Sequence, residues 1–153
     1  MKYEPFAVDR LRDILQLGIA MQQEADYKVV PFDIESAAQS TLSYIINNEN
    51  GFGVVAYTDD GKPAGLIAGS VTPYFFSKGR VASDFVWYVL PEYRGSRAAV
   101  KMLKMFKTWA AEQGAAELYM GISTGLFAER TGKLLERSGF DHVGGNYRVR
   151  LNG

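Results

Sequence analysis

Phe85 to Leu90 is the most strand-like run of the chain, Pro91 ends it, and Pro91-Glu-Tyr-Arg-Gly-Ser-Arg-Ala-Ala99 leads without a break into a strongly amphipathic helix. A strand that feeds a short turn bearing Gly and Ser into a helix N-terminus makes an anion site. The first-turn amides lack intrahelical partners, the helix dipole places about half a positive charge there, and Arg94 and Arg97 add whole ones. Phosphate is the guest such a turn suits.

The elements around this unit follow from periodicity and punctuation. Residues 9 to 24 space Leu11, Ile14, Leu15, Gly18, Ile19 and Gln22 as a first helix with Asp9 at its N-cap. Asp33 caps a second helix to about Asn48, closed by Gly51. Phe52 to Tyr57 and Ala64 to Val71 read as a hairpin about the turn Thr58-Asp-Asp-Gly-Lys62, and a long strand runs from Val81 to Leu90. The helix after the turn spans about Ser96 to Gln113, buries Ala99, Leu103, Phe106 and Ala110, and stops at Gly114. Glu117 to Ile122 predicts a strand, Phe127 to Arg137 a helix, and Phe140–Val143 with Tyr147–Leu151 a closing hairpin about Gly144-Gly145-Asn146. With a short first strand, this order predicts one α/β (α+β) domain over residues 1–153. Its mixed, mostly antiparallel central sheet has about six to seven strands, flanked by about four helices on both faces.

Composition removes several functions. Seventeen basic residues balance seventeen acidic ones, so no global field recruits nucleic acid or an anionic membrane. The absence of cysteine excludes disulfides, thiolate metal sites and a cysteine nucleophile. The first residues lack the apolar core of a signal peptide and no apolar run approaches a membrane span, so the expectation is a soluble, cytoplasmic protein. No Asp, Glu and His spacing suits a metal.

Other motifs weaken on inspection. Gly51-Phe-Gly-Val-Val-Ala56 matches a dinucleotide fingerprint as text but opens a strand, and Gly125 to Lys133 has the wrong spacing for a P-loop. Gly121-Ile-Ser-Thr-Gly125 fits a nucleophile elbow and points to a serine hydrolase using Ser123. The single histidine, His142, adjoins Asp141 in sequence, whereas triad partners come from separate segments. The hydrolase is therefore a remote alternative. Arg97, Lys101 and Lys104 share one helical stripe, of which Arg97 lies beside the exposed amides.

Val89, Pro91, Arg94 and Ala99 match the strand ending and the Arg/Gln-x-x-Gly-x-Gly/Ala signature by which the chain resembles the GNAT superfamily of acetyl-CoA-dependent N-acetyltransferases. Glu136-Arg-Ser-Gly-Phe140 is similar to the ending of that family's last helix, and the element order agrees along nearly the whole chain. The resemblance implies that acetyl-CoA is bound by Val89, Leu90, Arg94, Gly95, Ser96, Arg97, Ala98 and Ala99. The amides after Arg94 would hold the pyrophosphate, and the pantetheine arm would lie along the strand end at Val89-Leu90. It also implies an amine acceptor and, at family level, a homodimer. Three positions depart from the pattern. Arg97 replaces the signature's middle glycine, Leu135 a tyrosine that protonates the leaving thiolate, and Ala128 an asparagine that holds the cofactor arm. The alternative reading is thus a catalytically weak acyl-CoA-binding module.

Amide formation from a thioester needs a neutral amine, a polarised carbonyl and close approach. Asp84 is the candidate base, although regular strand parity sets it on the opposite face from Ser83, Phe85, Trp87 and Val89. Ser123 is the candidate to orient water or the thiolate, Tyr119 is the nearest tyrosine on that strand, and a backbone amide near Val89 would polarise the carbonyl. Tyr27 and Phe32, with Tyr74 and Phe75, are expected to wall the acceptor pocket.

Overall fold

The computed structural model describes residues 1–25, 29–122 and 128–151. Among them one five-stranded sheet runs in the order β1 (Lys2–Pro5), β2 (Gly51–Tyr57), β3 (Pro63–Pro73), β4 (Arg80–Val89) and β5 (Ala115–Tyr119). The first four strands are antiparallel neighbours, and β5 lies parallel to β4. Four α-helices accompany it: α1 (Leu11–Glu24), α2 (Ile34–Thr41), α3 (Ala98–Glu112) and α4 (Ala128–Arg137).

The sheet separates two apolar clusters. On one face Val54, Ile67, Val71, Ala82 and Val89 meet Met102, Leu103 and Phe106 of α3 and Leu135 of α4. On the other, Val55 and Leu66 meet Ile14 and Leu17 of α1. Strand alternation explains the division, since adjacent positions on β2 and β3 supply opposite clusters. Phe52 stacks on Phe106 with ring centroids 5.3 Å apart and adds aromatic packing to the α3 side.

Local chemistry sets the ends of these elements. Asp33 caps α2, its carboxylate accepting from the Glu35 and Ser36 amides at 3.1 and 3.5 Å. Gly61 takes φ 86° in the β2–β3 turn, and Gly114 takes φ 76° just past α3.

Three expectations need correction. The second helix is α-helical only to Thr41 and closes in one wider π turn, Leu42–Ile46, in which the Asn47 amide donates to the Leu42 carbonyl. Gly51 opens β2 instead of closing that helix, and the backbone of the π turn passes so near that a Cβ there would stand 2.5 Å from the Tyr44 carbonyl oxygen. Residues 140–150 form no strand, so the sheet has five strands among the described residues where six to seven were expected. The apolar side chains Val143, Tyr147, Val149 and Leu151 stay exposed. Without a packed face a two-stranded hairpin is marginal, and here Asn146 instead donates to the Ile122 carbonyl at 3.2 Å.

Candidate functional site

The site begins where two parallel strands part. β5 pairs with β4 only as far as Ser83 opposite Tyr119, so among the described residues no strand lies beside that edge of β4 from Asp84 to Val89. At the same point β4 carries a bulge. Gly69 pairs with Asp84 and Ala68 with Val86, leaving Phe85 as an extra residue. The bulge overturns the parity expectation for Asp84. Paired residues share a face, and Gly69 faces Phe106 of α3, so Asp84 lies on the α3 side with Ala82, Trp87 and Val89.

A cavity of about 550 Å³ occupies the split. Asp84 to Val89 form its floor, Tyr93 to Ser96 with Ala99 and Val100 its phosphate-suited end, Gly121 and Ile122 its inner end, and α4 the far wall. Trp87 fixes β4 against α3 by donating its indole N–H to the Ala99 carbonyl at 3.2 Å. Gly95 has φ 93°, a conformation that favours glycine, and nothing lies within 4 Å of where its Cβ would be. Arg97 is the N-cap of α3 without a side-chain bond to the helix, and the Ser96 hydroxyl accepts from the Ala98 amide at 3.3 Å.

Arg94 has a different role from the free charge expected of it. Its guanidinium donates two bonds of 2.6 Å to the Glu24 carboxylate, and its Nε donates to the Val89 carbonyl at 3.0 Å. The Tyr88 hydroxyl donates to the same carboxylate at 2.7 Å, with Arg94 lying over the Tyr88 ring. Bonding to Arg94 holds the Glu24 carboxyl below the usual carboxylate range, against the opposing effect of its burial. Burial, reinforced by Glu24, pushes the Tyr88 hydroxyl up to about 12. The arginine charge is thus neutralised within the fold and anchors the turn.

Asp84 is the titratable group at the inner end. Burial raises its pKa above the ordinary aspartate value, opposed by the Gly121 amide donating to Oδ1 at 3.0 Å. Across the cavity Arg130 and Arg137 of α4 form no ion pair among the described residues, which leaves that wall positive.

Of the residues expected to bind the donor, Val89, Arg94, Gly95, Ser96 and Ala99 line the cavity. Leu90 packs toward α1, Ala98 is 1% exposed in the α3 core, and Arg97 stands exposed at the helix start. Phe32 lies against Gly18 of α1 rather than in the cavity, Phe75 is fully exposed at the β3–β4 hairpin, and the Tyr74 hydroxyl bonds Glu117. Tyr119 ends β5, half-exposed. Leu135 is buried in the α3 cluster and Ala128 opens α4. Tyr27 and Ser123 lie outside the described residues. Sequence reasoning missed Met21, Tyr93 and the α4 wall of Arg130, Thr131, Leu134 and Arg137. The i, i+4, i+7 stripe of residues 130, 134 and 137 was the available signal for that wall.

Comparison with known proteins joins these features. Residues 19–140 match the family described as Acetyltransferase (GNAT) family. Comparison of the sequence with curated proteins gives no match. Among solved structures, aminoglycoside antibiotic 6'-N-acetyltransferase AAC(6')-IG from Acinetobacter haemolyticus is similar at 17% identity over 99% of each chain, TM-score 0.74. Ribosomal-protein-alanine N-acetyltransferase from Brucella melitensis biovar Abortus 2308 is similar at 16% identity over 99% of this chain and 100% of that one, TM-score 0.72. AAC(6')-Iy in complex with the bisubstrate analog CoA-S-monomethyl-acetylneamine is similar at 18% identity over 98% of both, TM-score 0.73. At such identities these likenesses establish the fold.

Proposed function

The chain belongs to the GNAT acetyltransferase family, and from that premise we propose that it transfers the acetyl group of acetyl-CoA directly to a primary amine of a small molecule, peptide or protein. The split between β4 and β5 carries this reading. The residues present fit acetyl-CoA as the donor substrate. The exposed, unobstructed backbone at Gly95 and the start of α3 suit the pyrophosphate, with Arg97 beside them. The open β4 edge from Asp84 to Val89 offers a pantetheine arm the backbone groups that a neighbouring strand would otherwise use. Arg130 and Arg137 supply positive charge for the nucleotide phosphates.

Asp84 is the proposed base. An amine of lysine type is protonated at neutral pH, and a carboxylate of raised pKa is better matched to its proton than an ordinary aspartate. The amine nitrogen bonds to the thioester carbonyl carbon, the C–S bond breaks, and the thiolate leaves with the sulfur electron pair. Asp84 takes the ammonium proton before attack and passes it to solvent, and the second proton that nitrogen loses as the amide forms goes to the departing thiolate, which is released as the CoA thiol. A thiol has a pKa of about 8.5, so its thiolate departs without a strong acid, which makes room for a hydrophobic Leu135. Ser123 is the proposed group to orient water at the thiolate.

The buried position of Leu135 also motivates a second reading, an acyl-CoA-binding module with little turnover. Calorimetry with CoA and mass spectrometry of an amine library offered with acetyl-CoA separate the two. The transferase predicts acetylated product. It also predicts that Arg97→Glu weakens CoA binding about tenfold, or 1.4 kcal/mol, while Lys104→Glu does so much less. Tight CoA binding with no product from any amine favours the binding module, and equal effects of the two substitutions refute the phosphate site at Arg97.

A further inference from the structure

On the face of the sheet opposite α3, the described residues of the β4–β5 end include the exposed side chains of Glu117 and Tyr119. Leu118 and Ala82 pair and pack toward α3, so their strand neighbours Glu117, Tyr119 and Ser83 point to this other side. The extra residue of the bulge joins them. The Phe85 ring lies 6.2 Å from that of Tyr44, which the π turn after α2 presents, and both are more than half exposed, at 55% and 57%. A π turn at such a place is a frequent mark of a functional site. Phe85 also lines the donor cavity beside Asp84, so a group that reaches Asp84 from this side passes its ring.

The charge on this surface is as informative as its shape. Among the described residues of β4 and β5, Glu117 is the carboxylate on this face, and it is already bonded by the Tyr74 hydroxyl. An acceptor with several ammonium groups would set most of them against aromatic carbon. An amine with one ammonium and a flat apolar body suits the surface, the body against Phe85 and Tyr44 and the ammonium attracted by the rings.

Resting on the transferase reading above, we infer that the acceptor is an arylalkylamine-like molecule, a primary amine on an aromatic or flat apolar group, and that Phe85 and Tyr44 select it over polycationic sugars. The reaction is the same transfer, with the C–N bond formed, the C–S bond broken, the ammonium proton taken through Asp84 before attack, and the second nitrogen proton carried by the thiol that leaves.

The test measures free thiol released from acetyl-CoA by the full-length protein with phenethylamine or kanamycin as acceptor, alongside calorimetry with CoA. Expected is a kcat/KM for phenethylamine at least about tenfold above that for kanamycin. Phe85→Ser should raise the KM for phenethylamine about tenfold and change CoA affinity by a much smaller factor, and Phe85→Leu should retain most of the wild-type KM for phenethylamine. Equal or better use of kanamycin overturns the inference, as does a Phe85→Ser variant with unchanged KM. Failure to acetylate either amine by protein that binds CoA overturns this inference alone. Failure to bind CoA overturns the transferase reading and this inference with it.

Discussion

Asp84 occupies a position in which burial and catalysis pull the same way while stability pulls the other. Burial raises its pKa, and the single amide of Gly121 offsets this only in part. A carboxyl whose folded pKa lies above its unfolded value contributes stability fully at pH below the unfolded value near 3.8, and loses it as pH rises through the folded value. At neutral pH, where an unfolded aspartate is ionised, the raised pKa of Asp84 therefore destabilises the fold. Asp84→Asn keeps an oxygen that accepts from Gly121 but removes the charge and the base. We expect it to raise stability at pH 7 by about 1 kcal/mol. It should also lower kcat/KM about 100-fold or more and abolish the acidic limb of the pH–rate profile. Thermal melting and pH–rate measurements check both halves, and a variant that is stabilised yet fully active removes Asp84 from the chemistry. The residue type and its strand were legible in the sequence, but its face was not. Alternation assigns Asp84 opposite to Trp87 and Val89, and the inserted Phe85 reverses that assignment.

At the level of elements, what the sequence disclosed was what local chemistry decides. The Asp33 cap, the turn at Gly61, the β2–β3 hairpin and the stop at Gly114 each depend on residues within a few positions of one another. The bulge depends on a register between strands, for which a period of two leaves no trace. Likewise the Gly144-Gly145-Asn146 segment has a hairpin pattern, but pairing requires a neighbouring edge and a packed face that no local pattern specifies. The donor turn was legible because strand, turn and helix are contiguous. The α4 wall became visible only once the fold set it across the cavity. Gly69 tests how tightly the bulge is built. Paired with Asp84, it would bring a Cβ within 2.3 Å of the Phe106 ring and 2.4 Å of the Ser83 carbonyl oxygen. Ser83 is backbone and Phe106 is fully buried, so neither yields easily. Gly69→Ala is expected to destabilise by about 1–3 kcal/mol in denaturant unfolding. It should also reduce activity beyond the loss of folded protein, because the strain falls beside Asp84. A neutral effect on both would show that the strand tolerates a wider gap at the bulge.

Across the whole molecule, the two apolar clusters lie on opposite faces of the sheet, and the donor turn joins the end of β4 to α3 on one of them. Glu24, the last residue of α1 on the other face, crosses to this turn through Arg94 and Tyr88. The Glu24 and Arg94 side chains are 25% and 24% exposed, so their bonds are shielded from water more than a surface ion pair would be. Removing the carboxylate charge weakens the tie between Glu24 and Arg94 and loosens the turn at its arginine. Glu24→Gln is expected to cost about 1–3 kcal/mol of stability at pH 7. CoA affinity should fall several-fold through misplacement of Gly95 and Ser96, while Asp84 keeps its own contacts and kcat at saturating acetyl-CoA changes little. The pH dependence gives the decisive sign. The folded Glu24 pKa is lowered by its bond to Arg94, so its stabilisation is present above the unfolded value near 4.5 and is lost as pH falls through the folded value. The stability gap between wild type and Glu24→Gln should therefore be constant at neutral pH and narrow progressively on acidification below about 4.5. A gap that persists unchanged to low pH would mean that Glu24 acts through packing and not through its charge on Arg94.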